Sequence, residues 1–169
     1  MRLTFPSDAV VVVAGVPGAG KTTLIRRAVD RDVVGVVDTD DRREAGGRGF
    51  LYAGHYLRTA AAILVRRPAV IHTRGTRPVL RRLIALLAAA RGRSAHLVLI
   101  DADRAEAETG QQRRGRTVSR ATMDREVARW RRLMAGGPLC ERWRTVTVLD
   151  RAQAAQVRSL EFAPAAPSQ

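Results

Sequence analysis

Residues 15–22 read Gly-Val-Pro-Gly-Ala-Gly-Lys-Thr and fit the pattern G-x-x-x-x-G-K-[ST]. They follow the apolar run Val10–Ala14 and open the stretch Lys21–Asp30, whose Leu24, Ile25 and Ala28 share one helical face. A strand, a glycine loop and a helix in that order leave few architectures open. Glycines let the backbone curl until its N–H groups converge. The helix N-terminus adds the positive end of its dipole. The expected ligand is a chain of phosphates, held by Gly15, Pro17, Gly18, Ala19, Gly20, Lys21, Thr22 and Thr23. Lys21 is expected to bring a compact charge to the terminal phosphates, and Thr22 to offer its hydroxyl to Mg2+. Lys21 is the sole lysine among 30 basic residues. That fits a position where the planar fork of arginine cannot substitute.

The remaining chain alternates short apolar runs with helical stretches. Val33–Val37, Ala69–Thr73, His96–Ile100 and Thr145–Leu149 are expected strands. Phe50–Arg66, Pro78–Arg91, Thr122–Ala135 and Ala152–Leu160 are expected helices. Pro78 suits a first helical turn, and Ser119 or Thr122 suits a cap. Continuous apolar strands between helices imply an α/β fold with a parallel sheet covered on both faces. A chain of 169 residues is expected to form one domain, over residues 1–162. The tail Ala163–Gln169 holds two of the seven prolines and reads as mobile. No apolar run approaches the roughly 18 residues of a membrane span. A single cysteine, Cys140, excludes an internal disulfide and fits a cytoplasmic location.

The formal charge is +14, which favours anionic partners, nucleic acid among them. Asparagine is absent and lysine occurs once. Both have A/T-rich codons, so coding bias accounts for part of the arginine excess. The aromatic content of 4% argues against extensive stacking on single-stranded bases.

Acids cluster after the second expected strand, in Asp38-Thr-Asp-Asp-Arg-Arg43. In a parallel sheet, ligands sit beyond the carboxyl ends of the strands. A carboxylate there would take a proton from an attacking hydroxyl or hold the magnesium shell. Asp40 is the first choice as base and Asp38 the second; Asp38 equally suits the metal. Asp41 suits the start of the next helix. The third expected strand ends His72-Thr-Arg-Gly-Thr-Arg77, with no acid. Arg74 and Arg77 suggest contacts to phosphates or to an anionic acceptor. His72 reads as a packed or hydrogen-bonded residue more than as a catalyst. Asp101 and Asp103 either replace the absent acid or serve as caps or hinges. The segment Gly110–Ser119 carries three arginines and no acid. It suits a lid whose guanidiniums neutralise a transferring phosphoryl group, with Arg114 and Arg116 foremost.

Four segments together resemble P-loop kinases of the AAA-33 type, a branch shared with polynucleotide 5′-kinase domains and zeta-toxin-like kinases. They are G-V-P-G-A-G-K-T-T, D-T-D-D-R-R, R-G-R-T-V-S with the helix after it, and W-R-T-V-T-V-L-D-R, covering most of residues 9–151. The resemblance implies a P-loop NTPase three-layer sandwich. Its five-stranded parallel sheet would have order 2-3-1-4-5, counted from Val10–Ala14, with a lid over about 103–120. It implies ATP and Mg2+ as cofactors, a general base at Asp40, an acceptor-binding arginine at Arg43 and lid arginines at Arg114 and Arg116. Polynucleotide kinases carry an acid where this chain has Thr73-Arg74, which leaves the acceptor open. Without asparagine there is no N-K-x-D to read guanine.

The expected activity is therefore transfer of the γ-phosphate of ATP to a hydroxyl of a small-molecule or nucleic-acid acceptor, an anionic one being favoured. Lys21, Asp40, Arg114 and Arg116 would be catalytic. Thr22 and Asp38 would hold the metal, and Arg43 and Arg74 the acceptor. A polynucleotide 5′-hydroxyl kinase is the narrower reading. A nucleotide-dependent module that binds nucleic acid or protein without catalysis is the alternative.

Overall fold

The computed structural model of the chain describes residues 1–38, 48–113, 115, 117–136 and 142–163. Five parallel strands form the central sheet: β2 (Val10–Ala14), β3 (Gly35–Val37), β4 (Ala69–His72), β5 (Ala95–Asp101) and β6 (Thr145–Asp150). Their order is β3-β4-β2-β5-β6. Counted from β2, this is the order 2-3-1-4-5 expected from the resemblance. The four-valine strand β2 lies at the centre, paired on both edges with β4 and β5. Each of its residues is fully buried. Edge strand β6 buries only Leu149.

The connecting helices are α1 (Lys21–Ala28), α2 (Arg48–Leu64), α3 (Pro78–Ala90), α4 (Arg104–Gln112), α5 (Arg120–Gly136) and α6 (Arg151–Gln156). Leu24, Ile25 and Ala28 of α1 face the core, as their spacing predicts. Right-handed crossovers put α1 on one face of the sheet and the neighbouring pair α2 and α3 on the other. Ile63, Ile71, Ile84, Leu97 and Leu99 fill the layers between helices and sheet and are at most 1% exposed. Each contributes about 1.5–3 kcal/mol of apolar burial. Pro78 stands in the first turn of α3. Ser119 accepts the first bonds of α5, from the N–H groups of Thr122 and Met123.

The helix expected over Ala152–Leu160 is corrected by the structure. Helix α6 ends at Gln156, and Ser159–Ala163 forms strand β7. It pairs in parallel with β1 (Arg2–Pro6), a strand the sequence pattern did not reveal. The register runs from Arg2↔Ser159 to Pro6↔Ala163. Met1 closes the junction: its ammonium donates to Gln156 O (2.8 Å), and its carbonyl accepts from Arg158 N–H (2.8 Å). Phe5 stacks against Phe162 and, edge-on, against His96. Because this pairing joins the two ends of the described chain, no local periodicity reports it. Ala163 belongs to β7; the rest of the expected tail lies outside the described residues.

Arg93 is a buried arginine at the amino ends of the central strands. Its guanidinium donates to the carbonyls of Ala62, Ile63 and Val65 at 2.7–2.9 Å. It also reaches Asp8 O (2.7 Å) and Arg67 O (2.5 Å). The last carbonyls of a helix have no intrahelical donors. Arg93 supplies them for α2 and ties that helix to the entry of β2.

Candidate functional site: a phosphate loop beside a buried Asp–His pair

The loop after β2 turns through two glycines in the left-handed region, Gly18 (φ 93°) and Gly20 (φ 103°). A side chain there would be strained. Lys21 begins α1 and is only 6% exposed. Its Nζ donates to Gly15 O (2.8 Å) and Val16 O (2.9 Å). The ammonium is thereby drawn back over the mouth of its own loop. Thr22 is buried in the first turn of α1, Ala19 is packed and Thr23 is exposed.

Helix α4 braces the loop from outside. A Cβ on Gly18 would lie 1.9 Å from Ala107 O, and one on Gly110 would lie 2.3 Å from Gly18 O. Two glycines thus let two backbones touch. Gln111 completes the brace by donating to Pro17 O (3.2 Å) and accepting from Val118 N–H (2.7 Å). The expected lid span, about 103–120, therefore contains a helix packed against the phosphate loop. A cleft of about 420 Å³ opens beside this helix, lined by Arg104, Glu108, Gln111, Thr117, Val118 and Met123 among others.

Asp38 follows β3 and is 3% exposed. Its Oδ1 is in hydrogen-bond contact with Nδ1 of His72, the last residue of β4. His72 is paired in register with Val13 of β2. The pair therefore stands at the carboxyl ends of the strands, next to the strand that feeds the phosphate loop. His72 is the hydrogen-bonded histidine its position suggested, but the partner, 34 residues away, was not legible. On α2, His55 and Thr59 are both 3% exposed. Among the described residues, neither ring nitrogen of His55, nor Thr59 Oγ1, has a hydrogen-bond partner. Burial pushes the His55 imidazole below its ordinary range. Arg58 and His72 push in the same direction, and Asp38 opposes them. His55 and Thr59 gave no motif signal, because buried polar residues on a helix look like any others in sequence.

The segment after β4 lies directly against the loop. Arg74 O accepts from Gly15 N–H (3.2 Å), and a Cβ on Gly75 would fall 2.2 Å from Ala14 Cβ. The acid absent from this segment in sequence is brought in by α5. Glu126, 5% exposed, accepts from Thr76 Oγ1 (2.6 Å) and pairs with Arg129 (3.2 Å) and Arg74 (3.7 Å). Asp101 accepts from Trp130 Nε1 (2.8 Å). Asp103 is the N-cap of α4, in a reciprocal box with Glu106. Asp101 thus holds α5, and Asp103 holds the start of α4. Asp40, Arg43, Arg114 and Arg116 lie outside the described residues, as do Asp41 and Cys140.

A phosphate loop leaving the central strand of a parallel sheet of this order defines a P-loop NTPase fold. The family model of AAA_33, an AAA domain, matches residues 10–135, and the chain belongs to that family. No curated protein sequence matches it. Solved structures of similar fold include a chain from the PezAT chromosomal toxin–antitoxin system of Streptococcus pneumoniae. Its TM-score is 0.64 at 14% identity, over 90% of this chain and 71% of that one. A gluconokinase from Sinorhizobium meliloti 1021 has TM-score 0.63 at 15% identity, over 90% and 89%. Chaetomium thermophilum Kti12 in complex with ADP-AlF3 has TM-score 0.62 at 18% identity, over 88% and 94%. At such identities the likeness is one of fold. No helix among the described residues is long and apolar enough to cross a membrane.

Proposed function

We propose that the chain is an ATP-dependent phosphotransferase that moves the γ-phosphate to a hydroxyl of an acceptor. The observation that carries this reading is the phosphate loop's construction. Two left-handed glycines, a helix N-terminus and the buried Lys21 converge after the central strand β2, and a buried carboxylate, Asp38, follows β3 of the same parallel sheet. Loop amides and Lys21 would hold the β- and γ-phosphates. Among the described residues there is no cluster of three or more acidic, His or Cys ligands. That suits Mg2+, which takes one or two protein oxygens and completes its shell with phosphates and water. Thr22 and Asp38 would be those protein ligands. The ion, when bound, neutralises charge on the phosphates.

Asp40 would accept the proton of the acceptor hydroxyl. The hydroxyl oxygen then forms its bond to the γ-phosphorus as the bond to the β,γ-bridging oxygen breaks, and ADP leaves. Arg114 and Arg116 would offset the charge of the transferring group. Arg43 and Arg74 would orient the acceptor, and the +14 charge favours an anionic one. Arg74 already contacts Glu126, so its guanidinium is held next to the loop. Phosphoryl transfer asks mostly for positioning and charge, and this set supplies both.

The test is a screen with γ-labelled ATP against nucleosides, sugar derivatives and oligonucleotides, together with calorimetry of Mg-ATP binding. Asp40→Asn should keep ATP affinity while transfer falls by about two to four orders of magnitude. Failure to bind any nucleoside triphosphate would overturn the proposal. Full transfer by Asp40→Asn would remove that residue as base.

A further inference from the structure

Helix α3 carries apolar residues on both its inward and its outward face. Ile84, Ala85 and Ala88 pack inward. Val79, Leu83 and Leu86 point outward with 67%, 49% and 52% of their surface exposed. With the exposed Ala90 they are spaced four, three and four residues apart. On the neighbouring α2, Leu57 (71% exposed), Ala61 and Leu64 (55%) repeat the four–three spacing. Scattered exposed leucines need no explanation, but two parallel rows do. A four–three alternation is the seam along which one helix takes another. Between the rows runs a cleft of about 100 Å³, lined by Ala60, Ile63, Leu64, Leu87, Ala90 and Arg91. Alanines in its lining leave room for an inserted side chain.

We propose that this surface is a docking groove for an amphipathic helix with acidic flanks, contributed by another protein. Charge selects the occupant. From Ala45 to Ile100 the sequence holds ten arginines and no aspartate or glutamate. Arg58, Arg82 and Arg91 stand beside the two rows. A second copy of the chain would set arginines against arginines. A bilayer would be met by a convex, aromatic-rich face, whereas this face is a groove whose rows contain no Trp or Phe. An incoming helix with Leu at its seam and Glu beside it satisfies both the apolar rows and the cationic rim. The groove uses none of the residues assigned to phosphate transfer, so its occupancy stands or falls separately from that reading.

The probe is a fluorescein-labelled synthetic helix of about three heptads, with Leu at a and d and Glu at e and g. Binding to the full chain is read by anisotropy. Saturable binding is expected, about ten-fold or more tighter than for a scrambled peptide of the same composition or for one with Lys in place of Glu. Leu83→Gln with Leu86→Gln should weaken it at least about ten-fold, and so should Arg91→Glu. These side chains are exposed, so the fold should persist by circular dichroism. If the α3 pair does not fold, Leu57→Gln with Leu64→Gln makes the same test from α2. Equal binding of the scrambled peptide, or binding untouched by the leucine variants, overturns the proposal. So does a dimer in sedimentation velocity, or binding to phosphatidylglycerol vesicles, that those variants abolish.

Discussion

Gly18→Ala tests how the phosphate loop is held. Two separate penalties meet at this position. The backbone has φ 93°, where an L side chain costs about 1–2 kcal/mol. The new Cβ would also sit 1.9 Å from Ala107 O and 2.8 Å from Ala107 C. That obstacle is helix backbone, so it cannot swing aside. Helix α4 is held in turn by the Asp103–Glu106 capping box and by Arg151, which donates to Glu106 O. Overpacking of this kind costs about 1–3 kcal/mol. The sum is about 2–5 kcal/mol, and it must appear in one of two places. If the loop keeps its shape, the chain loses that much stability. If the loop yields, nucleotide affinity falls instead, by about ten-fold for each ~1.4 kcal/mol. Two reference variants separate the contributions. Gly92→Ala (φ 66°) and Gly20→Ala (φ 103°) carry the backbone penalty with nothing within 4 Å of the new Cβ. The first lies away from the phosphate loop and should leave nucleotide binding intact. The second lies within it. Urea denaturation and Mg-ATP calorimetry on the three variants measure both quantities. Suppose Gly18→Ala binds ATP as the parent does and loses no more stability than Gly92→Ala. The close contact between loop and α4 would then be wrong.

Other consequences follow from buried polar groups. Arg93→Ala strips the terminal carbonyls of α2 of their donors and should cost about 3–5 kcal/mol, seen as a lower urea midpoint; an unchanged midpoint would show that water replaces the guanidinium at no cost. Glu126→Ala leaves the Thr76 hydroxyl without its acceptor and should cost about 1–3 kcal/mol, while Glu126→Gln keeps that acceptor and recovers part of the loss. Burial holds the imidazoles of His55 and His96 below their reference value of 6.5, with Arg58 and Arg144 acting in the same direction. Below about pH 6.5 the unfolded chain therefore binds protons that the folded chain does not, so stability is full above that value and declines as the pH falls toward the folded-state values. Urea midpoints at pH 7.5 and 5.5 should differ in that direction, and less so in His55→Gln; a midpoint that rises on acidification would contradict the buried, neutral state of both rings.

Local chemistry made the frame of the molecule readable. G-V-P-G-A-G-K-T places Gly18 and Gly20 where the chain turns left-handed and its lysine at a helix start, and both features depend on a few consecutive residues. The inward face of α1 and the fully buried run Val10–Val13 are likewise written in short-range periodicity. Strand order followed from the resemblance those segments carry, since order is a property of long-range pairing.

What the tertiary structure alone decided are contacts whose partners lie far apart. Asp38 meets His72 across two strands, and Glu126 reaches Thr76 from another helix. Strand β7 exists because β1 offers it an edge, so Ser159 and Leu160 are extended where the pattern suggested the end of a helix. Gly110 and Gly18 each look like ordinary loop or helix glycines until two backbones are seen to touch. Periodicity and turn chemistry are local energies and can be read along a chain. Packing joins residues that only folding makes neighbours, and the surroundings of the phosphate loop were settled there.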